Sequence, residues 1–117
     1  MERTGDELAG YSIEFDAVAN AVRVRGWGFW NAEVAASFGG KVTEACANRP
    51  RVASIQLEVT GLKPMREEGQ RSFVSLLTAL PKTVTLTVVA TGNHLTKLQL
   101  MRLAAGVPSS KDRIKFV

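Results

Sequence analysis

SIQLEVTGLKPMREEGQRSFVSLLTAL, residues 54–80, changes its hydrophobic period midway, and that change decides the fold. VASIQLEV (52–59) is rich in β-branched residues and alternates in part, which is strand behaviour. Thr60-Gly61 reads as a turn, and Pro64 follows it. From Arg66 the period becomes helical: Gly69, Phe73, Leu76, Leu77 and Leu80 share one face, and Pro81 stops the element. A strand feeding a helix of crossover length is the unit from which parallel sheets are built.

The same alternation of periods extends in both directions. YSIEFD (11–16) and AVRVRGW (21–27) alternate across a short connection around Asn20, predicting an antiparallel hairpin. Asn31 is placed to cap a first helix, because its side chain can accept a hydrogen bond from an unpaired amide of the first turn. Val34, Phe38, Val42 and Ala45 then form an apolar stripe, and Pro50 closes the segment. Gly39 and Gly40 each weaken that helix by about 1 kcal/mol relative to alanine, so close packing on a neighbour is expected there. TVTLTVVA (83–90) is the most strand-like stretch and is expected to be central. HLTKLQLMRLAAG (94–106) is a third helix ended by Gly106 at a C′ position, and DRIKFV (112–117) a last strand. The predicted fold is a single α/β domain over 11–117, ordered β-β-α-β-α-β-α-β, with a mixed, mainly parallel sheet and helices packed against it. A polar segment, residues 1–10, precedes it.

Composition bounds the function classes. The chain has 117 residues, 45% hydrophobic and 22% charged, which fits one globular domain. No apolar run approaches the roughly 18 residues a membrane span requires, so no membrane insertion is expected. The polar start, with charges of both signs, predicts neither a signal peptide nor a transit peptide. The single cysteine, Cys46, fits a reducing compartment, and a cytoplasmic location is expected. The net charge of +4 comes from basic residues spread along the chain among acids, with no recognition motif, so no nucleic-acid partner is expected.

In open α/β sheets, sites gather where strand carboxyl ends lead into helices. Three segments meet that condition here: 27–31, 63–69 and 91–94, all predicted on one edge. Trp27, Phe29 and Trp30 crowd into four positions, and alternation puts Trp30 on the opposite side from the other two. The plain reading has two filling the core and one covering the helix end. The functional reading makes at least one an exposed contact for a partner. The third helix is apolar on two sides, with Leu95, Leu98, Met101 and Ala105 on one and Leu100, Leu103 and Ala104 on the other. A helix of that kind is buried twice or meets another chain, so a homodimer or partner surface is in view.

Catalytic readings find little. Cys46 lies near the end of its helix while His94 opens another, which places them on opposite edges of a parallel sheet, and Cys46 reads as a structural thiol. One histidine without clustered cysteines argues against zinc, and no cofactor is expected. Both GxxxxGK[ST] and GxGxxG are missing. Thr91-Gly92-Asn93 with His94 could hold a small molecule, nucleotide or anion on free helix amides, though a plain turn and cap explains the same residues. Glu67 and Glu68 could be an acid/base or metal pair, but neighbours on a helix diverge by about 100° and do not converge on one atom. Carboxylates in a first turn also stabilise the helix dipole.

Across most of the chain, from Tyr11 on, the succession of elements resembles STAS domains, the anti-sigma factor antagonist fold. The similarity is sharpest in residues 54–80: a hydrophobic strand, Thr60-Gly61-Leu62 for the family's short turn, then Gly69, Phe73, Leu76 and Leu77 for its leucine-rich helix. That helix opens in the family with Asp-Ser-Ser-Gly, whose first serine is phosphorylated by a partner kinase. Here Arg66 stands at the aspartate, Glu67 at the phosphorylatable serine, Glu68 at the second serine, and Gly69 is retained. The resemblance implies a non-catalytic regulatory module of bacterial signal transduction, binding a kinase-like or scaffold protein through Arg66, Glu67, Glu68 and Gly69. The missing hydroxyl departs from the pattern and implies a site without the phospho-switch, leaving Ser72, Ser75 and Thr91 as the nearby hydroxyls.

Overall fold

Alternation in the strands becomes a sheet with one buried and one open face. In the computed structural model, which describes residues 1–49 and 51–117, the elements are β1 (Glu2–Gly5), β2 (Gly10–Asp16), β3 (Ala21–Gly28), α1 (Ala32–Ala47), β4 (Ser54–Leu62), α2 (Glu67–Ala79), β5 (Thr85–Val89), α3 (His94–Ala105), a 3-10 turn (Pro108–Ser110) and β6 (Ile114–Phe116). The expected helix stop at Pro50 lies outside the described residues. The six strands form one mixed sheet in sequence order, with β1–β2 and β2–β3 antiparallel and β3–β4, β4–β5 and β5–β6 parallel. Because right-handed crossovers that always step the same way put their helices on the same face, α1, α2 and α3 stack side by side over one side of the sheet.

Under the helices lie Tyr11, Ile13, Val22, Val24, Ile55, Leu57, Val59, Leu86 and Val88 from the strands, packed on Phe38, Val42, Phe73, Leu76, Leu77 and Leu100. Tyr11 is buried whole, yet its hydroxyl meets Ser37 Oγ at 2.5 Å, so burial leaves no orphan donor. The open face carries the intervening polar residues, with ion pairs Arg23–Asp16 (2.9 Å) and Arg25–Glu58 (3.7 Å).

The α1–α2 contact explains one of the two helix glycines. A Cβ on Gly39 would stand 2.3 Å from Ser72 O, and the Gly39 amide donates to Ser72 Oγ at 2.6 Å. Gly40 faces open space, so its helix penalty has no packing reason.

Four expectations need revision. Residues 2–5 are not merely a polar lead: they pair with β2 as the edge strand, which their mixed charge did not signal. Thr60-Gly61 is not a turn; β4 continues through it because the β3–β4 register shifts between Arg25 and Trp27 and then resumes at Trp27↔Gly61 and Gly28↔Leu62. The run 83–90 is not the centre of the sheet, since sequential crossovers place β5 one strand in from the β6 edge. Gly106 caps α3 with right-handed dihedrals (φ −81°), because the chain tightens into the 3-10 turn instead of reversing through a left-handed residue.

Candidate functional site

Parallel β3, β4 and β5 bring their carboxyl ends to one edge, and the three loops there are tied together by named bonds. Gly28 O accepts from Lys63 N at 2.9 Å, joining the β3–α1 and β4–α2 loops. Asn93, in the β5–α3 loop, donates its side-chain amide to Val59 O (2.9 Å), Thr60 O (3.2 Å) and Leu62 O (2.8 Å). Thr96, fully buried, adds a bond to Leu62 O at 2.6 Å. Gln99 bonds both the amide and the carbonyl of Met65. The edge is therefore a braced surface, held by contacts between segments about thirty residues apart.

The aromatic segment divides as alternation requires. Trp30 is buried against Tyr11 and Phe38, with ring centroids 5.6 and 5.0 Å away, and its Nε1 donates to Gly10 O at 2.8 Å. Trp30 is thus a core residue, and its assignment to a partner surface does not hold. Trp27 lies on the open sheet face, where Arg3 and Arg25 stack on its ring at 5.1 and 5.7 Å and Nε1 donates to Asp6 O. Phe29 remains 49% exposed at the edge, and the Arg66 guanidinium sits 4.9 Å from its ring centroid. That contact joins the aromatic segment to the start of α2, a link that residue spacing did not reveal.

Asn31 caps α1, accepting from Val34 N at 2.8 Å. Arg66 stands at the N-cap of α2 but makes no side-chain cap bond. Glu67 lies in open solvent, paired with Arg71 one helical turn on, and the pairing raises the Arg71 pKa above its ordinary value. Glu68 is half-buried. Gly69 is buried, and a Cβ there would press on Met65 Cβ at 2.8 Å, so its retention has a packing reason.

Chemistry at this edge is limited. A solvated, paired carboxylate lacks the enclosed pocket a catalytic acid or base requires. Among the described residues no three His, Cys, Asp or Glu side chains group as a metal site. Asn93 has its amide donors committed to three carbonyls and does not offer them to an anion; His94 is exposed. Cys46 is buried at the far end of α1, and burial pushes its thiol pKa up, away from nucleophilic use. Of the hydroxyls, Ser72 is buried against Gly39, whereas Ser75 and Thr91 are exposed. Among the described residues, no helix is long and apolar enough to cross a membrane. Compared with known protein families, curated proteins and solved structures, the chain matches none.

Proposed function

We propose that the chain is a non-catalytic protein-interaction module that offers the braced edge to a protein partner in a reducing, cytoplasmic setting. The observation that carries this reading is the exposed Phe29 ring with Arg66 stacked on it. Arginine and aromatic residues dominate contact energies at protein interfaces, most of all where a rigid scaffold presents them and little ordering entropy is lost on binding. The loops here are rigid for a stated reason: each is hydrogen-bonded to the next.

The STAS-like reading adds a role for Glu67, as a fixed charge where the family carries phosphate. One carboxylate supplies a single unit against about 1.5–2 for phosphoserine, and Arg71 already shares it. The module would then bind its partner constitutively. A small-anion or nucleotide function at the same edge is disfavoured by the committed Asn93 donors.

Proteins co-purifying from the native cell are compared for the wild type, Phe29→Ala, Arg66→Ala and Glu67→Ser. Loss of a shared partner with Phe29→Ala and Arg66→Ala is expected. If all three variants recover the same proteins as the wild type, the edge is not the binding surface. A rise in melting temperature with nucleotides or small anions would favour the ligand-binding reading instead.

A further inference from the structure

The outer face of α3 is apolar and uncovered. Leu95, Leu98 and Met101 are 73%, 56% and 43% exposed along one side of the helix, whereas Thr96, Leu100 and Ala104 are buried and Leu103 packs against the core. This stripe runs into a groove of about 440 Å³ between α3 and β6, floored by Met101, Ala104, Val107, Pro108, Ile114 and Phe116. From Leu95 to Ala105 the stripe extends about 15 Å at the helical rise, the length of three turns of a partner helix.

Charge identifies what fits it. Residues 1–90 hold ten Lys or Arg and ten Asp or Glu, whereas residues 91–117 hold five and one. The whole net charge of +4 therefore belongs to α3, the 3-10 turn and β6, and the even interleaving read along the sequence fails in this quarter. Arg113 is bound by the carbonyls of Leu80, Pro81 and Ser109. Lys97 and Arg102 lie on α3 itself, which bears no acid, and Lys111 lines the groove. None of these three takes part in an ion pair among the described residues.

We propose that the α3 stripe and the α3–β6 groove dock an acidic amphipathic helix of a partner protein, on a surface separate from the Phe29–Arg66 edge. Its apolar side chains at i, i+3 and i+7 lie along Leu95, Leu98 and Met101, with one anchoring in the groove. Its carboxylates face Lys97, Arg102 and Lys111. A second copy of this chain is a poorer occupant, because stacking two α3 helices opposes cation to cation with no acid to relieve them. A lipid surface is also poorer, since Ala104 and Val107 in the groove floor are buried and call for a protruding side chain.

The test is selection of a helical peptide library, randomised at its surface positions, against the full chain at low salt. Enriched peptides are then titrated by fluorescence anisotropy against the wild type, Leu98→Asp, the Lys97→Glu/Arg102→Glu double variant and Phe29→Ala. Enriched sequences carry Asp and Glu around helically spaced apolar residues, and Leu98→Asp weakens binding by about tenfold or more. The charge-reversed variant loses the acidic peptides, Phe29→Ala keeps them, and all variants still melt cooperatively as folded proteins, since Phe29, Leu98 and Arg102 are exposed and Lys97 is only half-buried. The proposal is overturned by enrichment of neutral or basic peptides, by no enrichment, or by equal binding to Leu98→Asp. It is also overturned if the wild type, but not Leu98→Asp, sediments as a dimer or binds anionic phospholipid vesicles more tightly than the peptides; those results assign the face to self-association or to a membrane surface.

Discussion

Gln99 and Met65 are joined by a reciprocal pair of hydrogen bonds: Met65 N donates to Gln99 Oε1 at 2.7 Å, and Gln99 Nε2 donates to Met65 O at 2.8 Å. The side-chain amide acts as a one-residue strand partner for a loop that belongs to no ladder. Gln70 Nε2 also donates to Met65 O, at 3.0 Å, so the carbonyl has a second donor, whereas among the described residues the amide has Gln99 Oε1 as its acceptor and no other side chain. Gln99→Leu is expected to cost about 1–3 kcal/mol in urea denaturation, since it strands a part-buried amide. Hydrogen exchange at Met65 should accelerate, and Gln70→Ala should cost less. Unchanged exchange at Met65 in Gln99→Leu would show that the loop is held by something else.

Asn93 supports the same edge through donors alone. Asn93→Asp replaces the donating amide with an oxygen aimed at carbonyls, adding repulsion to the lost bonds. Its destabilisation, about 2–3 kcal/mol near neutral pH, should exceed that of Asn93→Ala. The gap between the two variants should narrow in acid, where the aspartate protonates and regains a donor. Equal denaturation midpoints at neutral pH would contradict this account.

Period and caps made most of this architecture legible. The alternation of 11–16 and 21–27, the Asn31 cap and the stripe on α2 were all readable because each depends on neighbours within a few residues. The edge strand at residues 2–5 was not, because its pairing is decided by β2 and not by its own composition. At the candidate site, sequence order predicted which loops meet, since parallel strands fix that. It separated Trp30 from Trp27 and Phe29 without saying which side enters the core, and it gave no sign that Arg66 covers Phe29. The Arg66–Phe29 contact joins two loops far apart in sequence, which no local pattern reports.

Gly39 and Gly40 are adjacent in one helix, yet alanine should act oppositely at the two. At Gly40 the new methyl meets nothing, and the helix gains about 1 kcal/mol from reduced unfolded-state freedom. At Gly39 the methyl collides with the Ser72 backbone, and α1 and α2 must part. A net loss of about 1–3 kcal/mol follows. Thermal or urea denaturation of the two single variants gives the signs directly; the same sign at both positions would mean that α1 and α2 do not approach at Gly39.

The β2–β3 turn gives the pH dependence. Asp16 Oδ1 accepts from Val18 N at 3.0 Å and Ala19 N at 3.1 Å, and Oδ2 pairs with Arg23. The Ala19 hydrogen bond, opposed by desolvation but joined by Arg23 and the Val18 amide, holds the carboxyl below its ordinary pKa of 3.8. A depressed folded-state pKa means that the unfolded chain takes up the proton first. The stabilisation is therefore complete above pH 3.8 and disappears as pH falls through the lower folded value. Asp16→Ala should lower the melting temperature at neutral pH, and the difference from wild type should shrink steadily below that point. Asp16→Asn, which keeps an acceptor for the two amides but loses the charge, should fall between them. A wild-type advantage over Asp16→Ala that persisted undiminished in acid would assign the effect to packing of the turn and not to the carboxylate.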